Sequence, residues 1–275
     1  VNGTLYVVAT PIGNLEDITL RAVRILGEVS GIAAEDTRHT RKLLNHLGIK
    51  KPLLSLHAHN EAERVELLTQ RLARGEDWAL VSDAGTPGIS DPGAVIVAAL
   101  RKHAIACVPV PGPSALAAAL SVGGLSDGRF FFEGFLPASG AGRRAHLAHI
   151  GSLCVPILLY ESPHRLAKTL GDLLLALGDR PITIFRELTK LYEEVRETSL
   201  IVAAEKAKEE TPRGEHVLLI HANEVMREVD DDTIAAHILS LLEKGIAHKE
   251  AVVETAKDLG VRKNRVYRLF LDMNR

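Results

Sequence analysis

The chain has 275 residues and a hydrophobic content of 46%, enough to bury cores for two domains, or for one domain and an appendage. No apolar run is long enough to cross a membrane, and the run at residues 5–9 is too short and unflanked for a signal peptide, so a cytoplasmic protein with no membrane partner is expected. The formal net charge of −2 offers nothing toward a nucleic-acid partner, and any such role must rest on local patches. Cys107 and Cys154 sit in apolar runs and read as reduced core residues, with zinc not indicated.

Taken in order, residues 5–9 are the first expected strand, ending in a Thr-Pro-Ile-Gly-Asn-Leu loop. Asp17 is the expected N-cap of a helix over 18–26, where Leu20, Val23 and Leu26 fall at helical spacing. A second strand at 31–34 runs into Glu35, Asp36 and the basic run that follows. A third, at 52–56, ends at His57-Ala58-His59-Asn60, and a helix over 62–74 leads to an apolar strand at 79–81. Strand and helix alternating at this spacing predict a parallel sheet. No GxGxxG follows the first strand, so an ordinary dinucleotide fold has no support.

The strand at 79–81 stops at Ser82-Asp83-Ala84-Gly85-Thr86-Pro87-Gly88, and the strand at 108–110 stops at Pro111-Gly112-Pro113-Ser114-Ala115. A buried strand ending in a Gly/Pro loop with one carboxylate is how an open α/β sheet presents a ligand at its carboxyl edge. Asp83 can accept hydrogen bonds from a ribose or an amine, and the glycines allow close backbone approach. Two tight turns with an N-cap serine would be the plain alternative, but two such loops after consecutive strands favour a cleft.

From Phe130 the pattern restarts. Strands are expected at 130–133, 157–160, 182–185 and 216–220, with a loop at 134–142, a basic helix start at Arg143-Arg144, and a helix from 163 to 177. The loop at 138–142 is expected to be mobile. A helix over 114–122 joins the two halves. Beyond the acidic break at 230–232 the chain reads as helical, with Ala256, Gly260 and Val266 at the small, turn and apolar positions of a helix-turn-helix. Arg262, Lys263, Arg265 and Arg268 decorate its second helix, a pattern that a small appendage with a solvated basic face would also give.

Seven ordered motifs carry a resemblance: TPIGNLEDIT at 10–19, AEDTRHTRKLL at 34–44, SDAGTPGISDPG at 82–93, PGPSA at 111–115, EGFLP at 133–137, YESPHR at 160–165 and RELTK at 186–190. Together they resemble the bacterial 16S ribosomal RNA cytidine-2′-O-methyltransferase family, of the tetrapyrrole-methylase-like class, over roughly residues 5–222. The resemblance implies two α/β domains with a cofactor cleft between them plus a small C-terminal helix-turn-helix-like domain, divided as 1–112, 113–228 and 229–275. It implies S-adenosyl-L-methionine as cofactor, 16S rRNA in the small ribosomal subunit as partner, and a homodimer. Carried over position by position, Ile12, Asp83, Thr86, Pro87, Ser114, Ala115, Tyr160, Gly214, Glu215 and His216 would contact the cofactor. A PGPS helix start suits a zwitterionic methionine tail.

The implied chemistry is in-line methyl transfer to a ribose hydroxyl, where holding the reacting atoms in line contributes most. A base would add a further ~10²–10⁴. Glu35, Asp36 and His57 stand at strand ends as its candidates, and Lys190 would stabilise a developing alkoxide. Asp36 has the alternative of pairing with Arg38 or capping a helix, and the residues alone do not choose the base. His57 and His59 lack a third ligand, so no metal is expected. For RNA, residues 38–51 hold five Lys/Arg and no acid, with Arg38, Arg41 and Lys42 foremost. Arg143, Arg144 and the C-terminal set form two further patches. After EGFLP the family commonly carries a Lys/Arg-rich tract, which Ala138-Ser139-Gly140-Ala141-Gly142 replaces here. A small-molecule methylase of the tetrapyrrole type would have little use for the C-terminal helices, and a DNA-binding regulator would leave seven cleft loops idle.

Overall fold

The computed structural model describes the chain except for residues 57–59, 126–127, 223–229, 260, 262 and 274–275, and the side chains of 61 and 62. The described residues divide into two compact units, 1–221 and 222–275.

The first unit opens with a five-stranded sheet of β1 (Thr4–Val8), β2 (Gly31–Ala34), β3 (Leu53–Ser55), β4 (Trp78–Val81) and β5 (Ala106–Val110). The order is β3-β2-β4-β1-β5, with every pair parallel. Helices cover both faces, which is why the strands read as unbroken apolar runs. On one face, Ala79 and Val81 of β4 pack with α1 (Leu20–Glu28) and α2 (Thr37–His46). On the other, Trp78 and Leu80 pack with α3 (Glu61–Ala73) and α4 (Ala94–Lys102).

One local expectation changes here, and one open alternative is decided. Asp17 belongs to a short 3₁₀ turn, Leu15–Asp17, and the N-cap of α1 is Thr19, whose hydroxyl accepts from the Ala22 amide at 3.1 Å. The basic run after β2 is α2 itself, capped by Asp36.

After α5 (Ala115–Val122) the second sheet contains β6 (Phe131–Phe135), β7 (Ile157–Glu161), β8 (Pro181–Arg186), β9 (Glu194–Ser199) and β10 (His216–Ile220). Its order is β6-β7-β10-β8-β9. Only β6 and β7 are parallel; the other pairs are antiparallel. Alternation within its strands splits the core by face. Ile184 and Leu218 pack with α6 (Gly140–Gly151), α7 (Pro163–Leu177) and α8 (Leu200–Glu209), whereas Phe185, Val217 and Leu219 pack toward α5.

β9 and α8 were absent from the sequence reading, because Glu-Val-Arg-Glu-Thr-Ser offers an edge strand rather than an apolar run. The expected mobile loop at 138–142 ends early, since Gly140 already begins α6. Cys107 is half-buried but Cys154 is exposed, so the second cysteine is not a core residue.

The second unit holds α9 (Asp231–Glu243), α10 (His248–Asp258) and α11 (Lys263–Met273). Asp230 caps α9 by accepting from the Thr233 amide at 2.7 Å, and Ile234, Ile238, Val252 and Val266 form a small core. Ala256 packs against that core as the helix-turn-helix reading expects; Gly260 lies outside the described residues.

Candidate active site

The parallel sheet sets four carboxyl ends side by side, and their loops form one wall of a cavity of about 310 Å³. Ile12 follows β1, Glu35 follows β2, Asp83 and Thr86 follow β4, and Ser114 follows β5. These loops are tied to one another. Thr10 and Gly85 exchange backbone hydrogen bonds at 2.9 and 3.0 Å, which Gly85 permits at φ +81°. The Thr86 hydroxyl donates to the Pro113 carbonyl at 3.1 Å. Asp83 accepts from the Asp36 amide at 2.9 Å, fixing the loop after β4 to the start of α2.

The opposite wall comes from the second sheet, where antiparallel pairing brings the end of β7, the start of β10 and the end of β8 to one edge. His216 is in register with both Glu161 and Arg186, and Val217 with both Tyr160 and Phe185. Tyr160, Glu161, Phe185, Glu215, His216 and Val217 all line the cavity. Phe132 and Phe135 hold the Tyr160 ring edge-on at 5.1 and 5.5 Å.

Lys190 reaches the cavity from the loop after β8 and is held by Glu187 and Glu215, each at 2.8 Å from its Nζ. Burial opposes its charge, but the two carboxylates win and keep its pKa above the ordinary value. Glycines make this arrangement possible. A Cβ on Gly13 would fall 2.3 Å from the Lys190 stem, and one on Gly214 would fall 2.4 Å from the Glu187 stem. The same loop places Glu187 and Thr189 at positive φ, 51° and 67°, a conformation that costs energy for residues with a side chain.

Burial, then Asp91 and Asp83, push the Glu35 carboxyl above the usual range. Burial also raises Asp91 and takes the Tyr160 phenol up to about 12. His216 goes the other way: burial, then the Arg186 guanidinium, disfavours its protonation.

Of the residues expected from sequence, Ile12, Glu35, Asp83, Thr86, Ser114, Ala115, Tyr160, Lys190, Glu215 and His216 line this one cavity. Pro87 and Gly214 do not; Gly214 instead makes room for Glu187. Asp36 also stays out of the lining. Its carboxylate accepts from the Arg38 amide at 2.8 Å and pairs with the Arg38 guanidinium at 2.8 Å. That hydrogen bonding holds it well below the usual carboxylate range, so Asp36, one of the three candidates for the base, takes its alternative role as a helix cap paired with Arg38. His57 lies outside the described residues. Asp91, Ile89, Phe135 and Leu188 are lining residues that sequence reasoning missed. Asp91 had a legible signal, since Ser90-Asp91-Pro92-Gly93 repeats the form of Ser82-Asp83-Ala84-Gly85.

The basic residues divide. Arg38, Arg41, Lys42, Arg144, Lys263 and Arg268 are exposed. Arg143 is not: it is 4% exposed, donates to Asp172 at 2.8 Å, to the Pro137 carbonyl at 2.9 Å and to Thr169 at 2.9 Å. An arginine with those bonds fastens α6 to α7 and presents no guanidinium to a phosphate, which removes it from the RNA-binding set. Arg265 is ion-paired with Asp231 at 2.6 Å, and Arg262 lies outside the described residues. No group of three or more potential metal ligands occurs among the described residues.

A parallel sheet and a mixed sheet facing one loop-lined cavity place the chain among the α/β methylases: the family model for tetrapyrrole (corrin/porphyrin) methylases matches residues 4–203. Solved structures share the fold. Diphthine synthase superposes with a TM-score of 0.63 at 16% identity, over 80% of this chain and 90% of that one. Uroporphyrin-III C-methyl transferase from Thermus thermophilus, complexed with S-adenyl homocysteine, gives 0.58 at 21%, over 82% and 99%. Among curated relatives, the ribosomal RNA small subunit methyltransferase I of Halalkalibacterium halodurans is 44% identical over 98% of this chain and 94% of its own length. That of Xylella fastidiosa is 45% identical over 96% and 98%, and that of Escherichia coli O157:H7 is 44% identical over 98% and 95%. The chain belongs to the ribosomal RNA small subunit methyltransferase I family.

Proposed function

We propose that this protein is an S-adenosyl-L-methionine-dependent methyltransferase that methylates the 2′-hydroxyl of a cytidine in the decoding region of 16S rRNA. The observation that carries the reading is the convergence of loops from both sheets on one cavity, in a chain whose near-full-length relatives bear an rRNA methyltransferase name.

The donor set fits the cofactor. One side offers Glu35, Asp83 and Asp91 to a cationic nucleoside, and Ile12, Ile89, Phe135, Leu188 and Val217 give apolar surface. Ser114 caps α5 without bonding the helix amides through its hydroxyl, and a helix start suits a carboxylate. When bound, S-adenosylmethionine supplies a methyl group already activated on a sulfonium, so no metal is needed. Glu35, with its pKa raised by burial and the neighbouring carboxylates, takes the ribose hydroxyl proton in this reading. Lys190, fixed by two carboxylates, presents positive charge to the developing alkoxide.

Arg38, Arg41, Lys42, Arg144, Lys263, Arg265 and Arg268 serve the RNA as salt-sensitive phosphate contacts. The segments 1–112, 113–228 and 229–275 act as the two halves of the methylase and its RNA-binding appendage, in a cytoplasmic homodimer. Mass spectrometry of nucleosides from 16S rRNA, from cells with and without the protein, tests the reading. A 2′-O-methylcytidine lost with the gene and restored by the purified protein is the expected result. An rRNA methylation pattern identical in both would overturn it.

A further inference from the structure

A second cavity of about 310 Å³ lies on the α7/α8 face of the second sheet. Arg186, Arg196, Lys206 and Arg213 line it together with His216. Two of these cations are already balanced, Arg186 by Glu194 at 2.9 Å and Lys206 by Glu210 at 3.7 Å. The side chains of Arg196 and Arg213 have no hydrogen-bond or ion-pair partner among the described residues, which leaves the pocket with an excess of two positive charges.

Its donors are also unsatisfied. The Nε atoms of Arg186 and Arg196 and the Nδ1 atom of His216 are buried with no hydrogen-bond partner among the described residues. His216 is only 6% exposed, so its ring is an interior group, with the Gly214 backbone beside it. Buried donors are ordinarily satisfied, and leaving one without a partner is costly. Two orphaned guanidinium N–H groups, with the unpaired guanidinium heads of Arg196 and Arg213, on one cation-rich pocket call for an acceptor with several oxygens and negative charge. To these His216 adds a further donor in its Nδ1–H tautomer. The sheet explains their convergence: His216 and Arg186 are register partners, and Ile184, Arg186's neighbour on that face, pairs with Arg196 on β9.

We propose that this pocket is a phosphate-binding site, built by Arg186, Arg196, Arg213 and His216 and joined to the methylation cleft through His216. A phosphate presents tetrahedral acceptors to guanidinium forks, whereas a carboxylate would leave donors unused. The phosphate belongs either to the backbone of the RNA substrate, which rests on the function proposed above, or to a free phosphate-bearing small molecule. His216 lines both cavities, so it is the residue the two sites share.

The test uses the full chain with histidine ring nitrogens labelled for NMR, His216 assigned through His216→Gln. Inorganic phosphate is titrated at constant ionic strength against chloride. The His216 signals should shift saturably, and the Arg196→Gln/Arg213→Gln double variant should bind phosphate about tenfold more weakly or worse. Cofactor affinity by calorimetry should stay unchanged in that variant. Arg213→Gln alone, at an exposed position, should weaken phosphate severalfold and guards against a folding defect in β9. A His216 signal indifferent to tens of millimolar phosphate, or equally responsive in the double variant, overturns the site. A second arm measures binding to small-subunit ribosomal particles over a salt series. A log–log slope reduced by about 1 to 2 in the double variant assigns the phosphate to RNA. An unchanged slope beside a lost phosphate response assigns it to a free ligand. Wild-type protein that binds no particle at all would refute the rRNA reading and leave the phosphate arm readable.

Discussion

The two sheets of the first unit build one cavity by different means. The parallel sheet contributes almost nothing from its strands. Its site residues sit in loops just beyond the carboxyl ends, tied to one another by backbone bonds such as Thr10 to Gly85. The mixed sheet contributes strand residues themselves, Tyr160, Phe185, His216 and Val217, beside Glu161, which is bonded to Thr169 and Arg165. Parallel strands all end on the same side, so their loops gather without help. Antiparallel strands bring alternating starts and ends to an edge, and charged groups then meet within the sheet. Function should therefore separate from stability in the first sheet and be entangled with it in the second.

The largest effect that sharpens this contrast lies at Glu35. Glu35→Gln should lower single-turnover methyl transfer by about 10²–10⁴ with little loss of folding stability. A variant that transfers at the original rate would move the base elsewhere, Asp91 first. Arg143→Ala, on the second sheet's side, should do the reverse. It strands Asp172 and Thr169 beside an emptied site, a loss of about 3–5 kcal/mol in denaturant unfolding, while the salt slope for RNA stays as it was. A lost slope with intact stability would return Arg143 to the RNA-binding set.

Smaller effects test the loops. Asp83→Ala should weaken cofactor binding by ~1–3 kcal/mol by calorimetry, and it also frees the start of α2 from the loop after β4. Asp36→Ala should cost about 1 kcal/mol of stability as a lost helix cap and leave the pH profile of transfer in place. If Asp36 were the base, that profile would lose its acid limb.

The smallest effect concerns pH. Glu35 has a folded-state pKa above its unfolded value, through burial and then Asp91 and Asp83. The folded protein thus holds that proton more tightly, and the associated stability is present below the unfolded value and is lost as pH rises through the raised one. At neutral pH the variant Glu35→Gln should therefore unfold at a slightly higher temperature in a thermal scan. The same titration works against catalysis in acid, where a protonated Glu35 no longer accepts a proton.

How much of this was legible in the chain differs by region for the same physical reason. In the first sheet, strands buried on both faces announce themselves as apolar runs, and their loops line the cavity, so Glu35 and Asp83 were readable from the residues and Ile12, Thr86 and Ser114 through the family resemblance. Asp91 was missed although its loop repeats the pattern of Asp83, because a second turn of the same kind reads as ordinary punctuation. In the second sheet the edge strand β9 has one exposed face and mixed polarity, and periodicity gave no sign of it.

Sequence by itself determined the strands of the first sheet, the ligand loops, the family and the separate helical segment at the end, since these depend on local pattern and on motifs close along the chain. Only the tertiary structure decided what each charged side chain does. Arg143 and Arg144 are adjacent in sequence and look alike, yet one is buried against Asp172 and the other faces solvent. Asp36 and Glu35 are likewise neighbours, and one caps a helix while the other lines the cavity. An ionic group's role depends on its partners and on how much water remains around it, and both are set by segments distant in the chain.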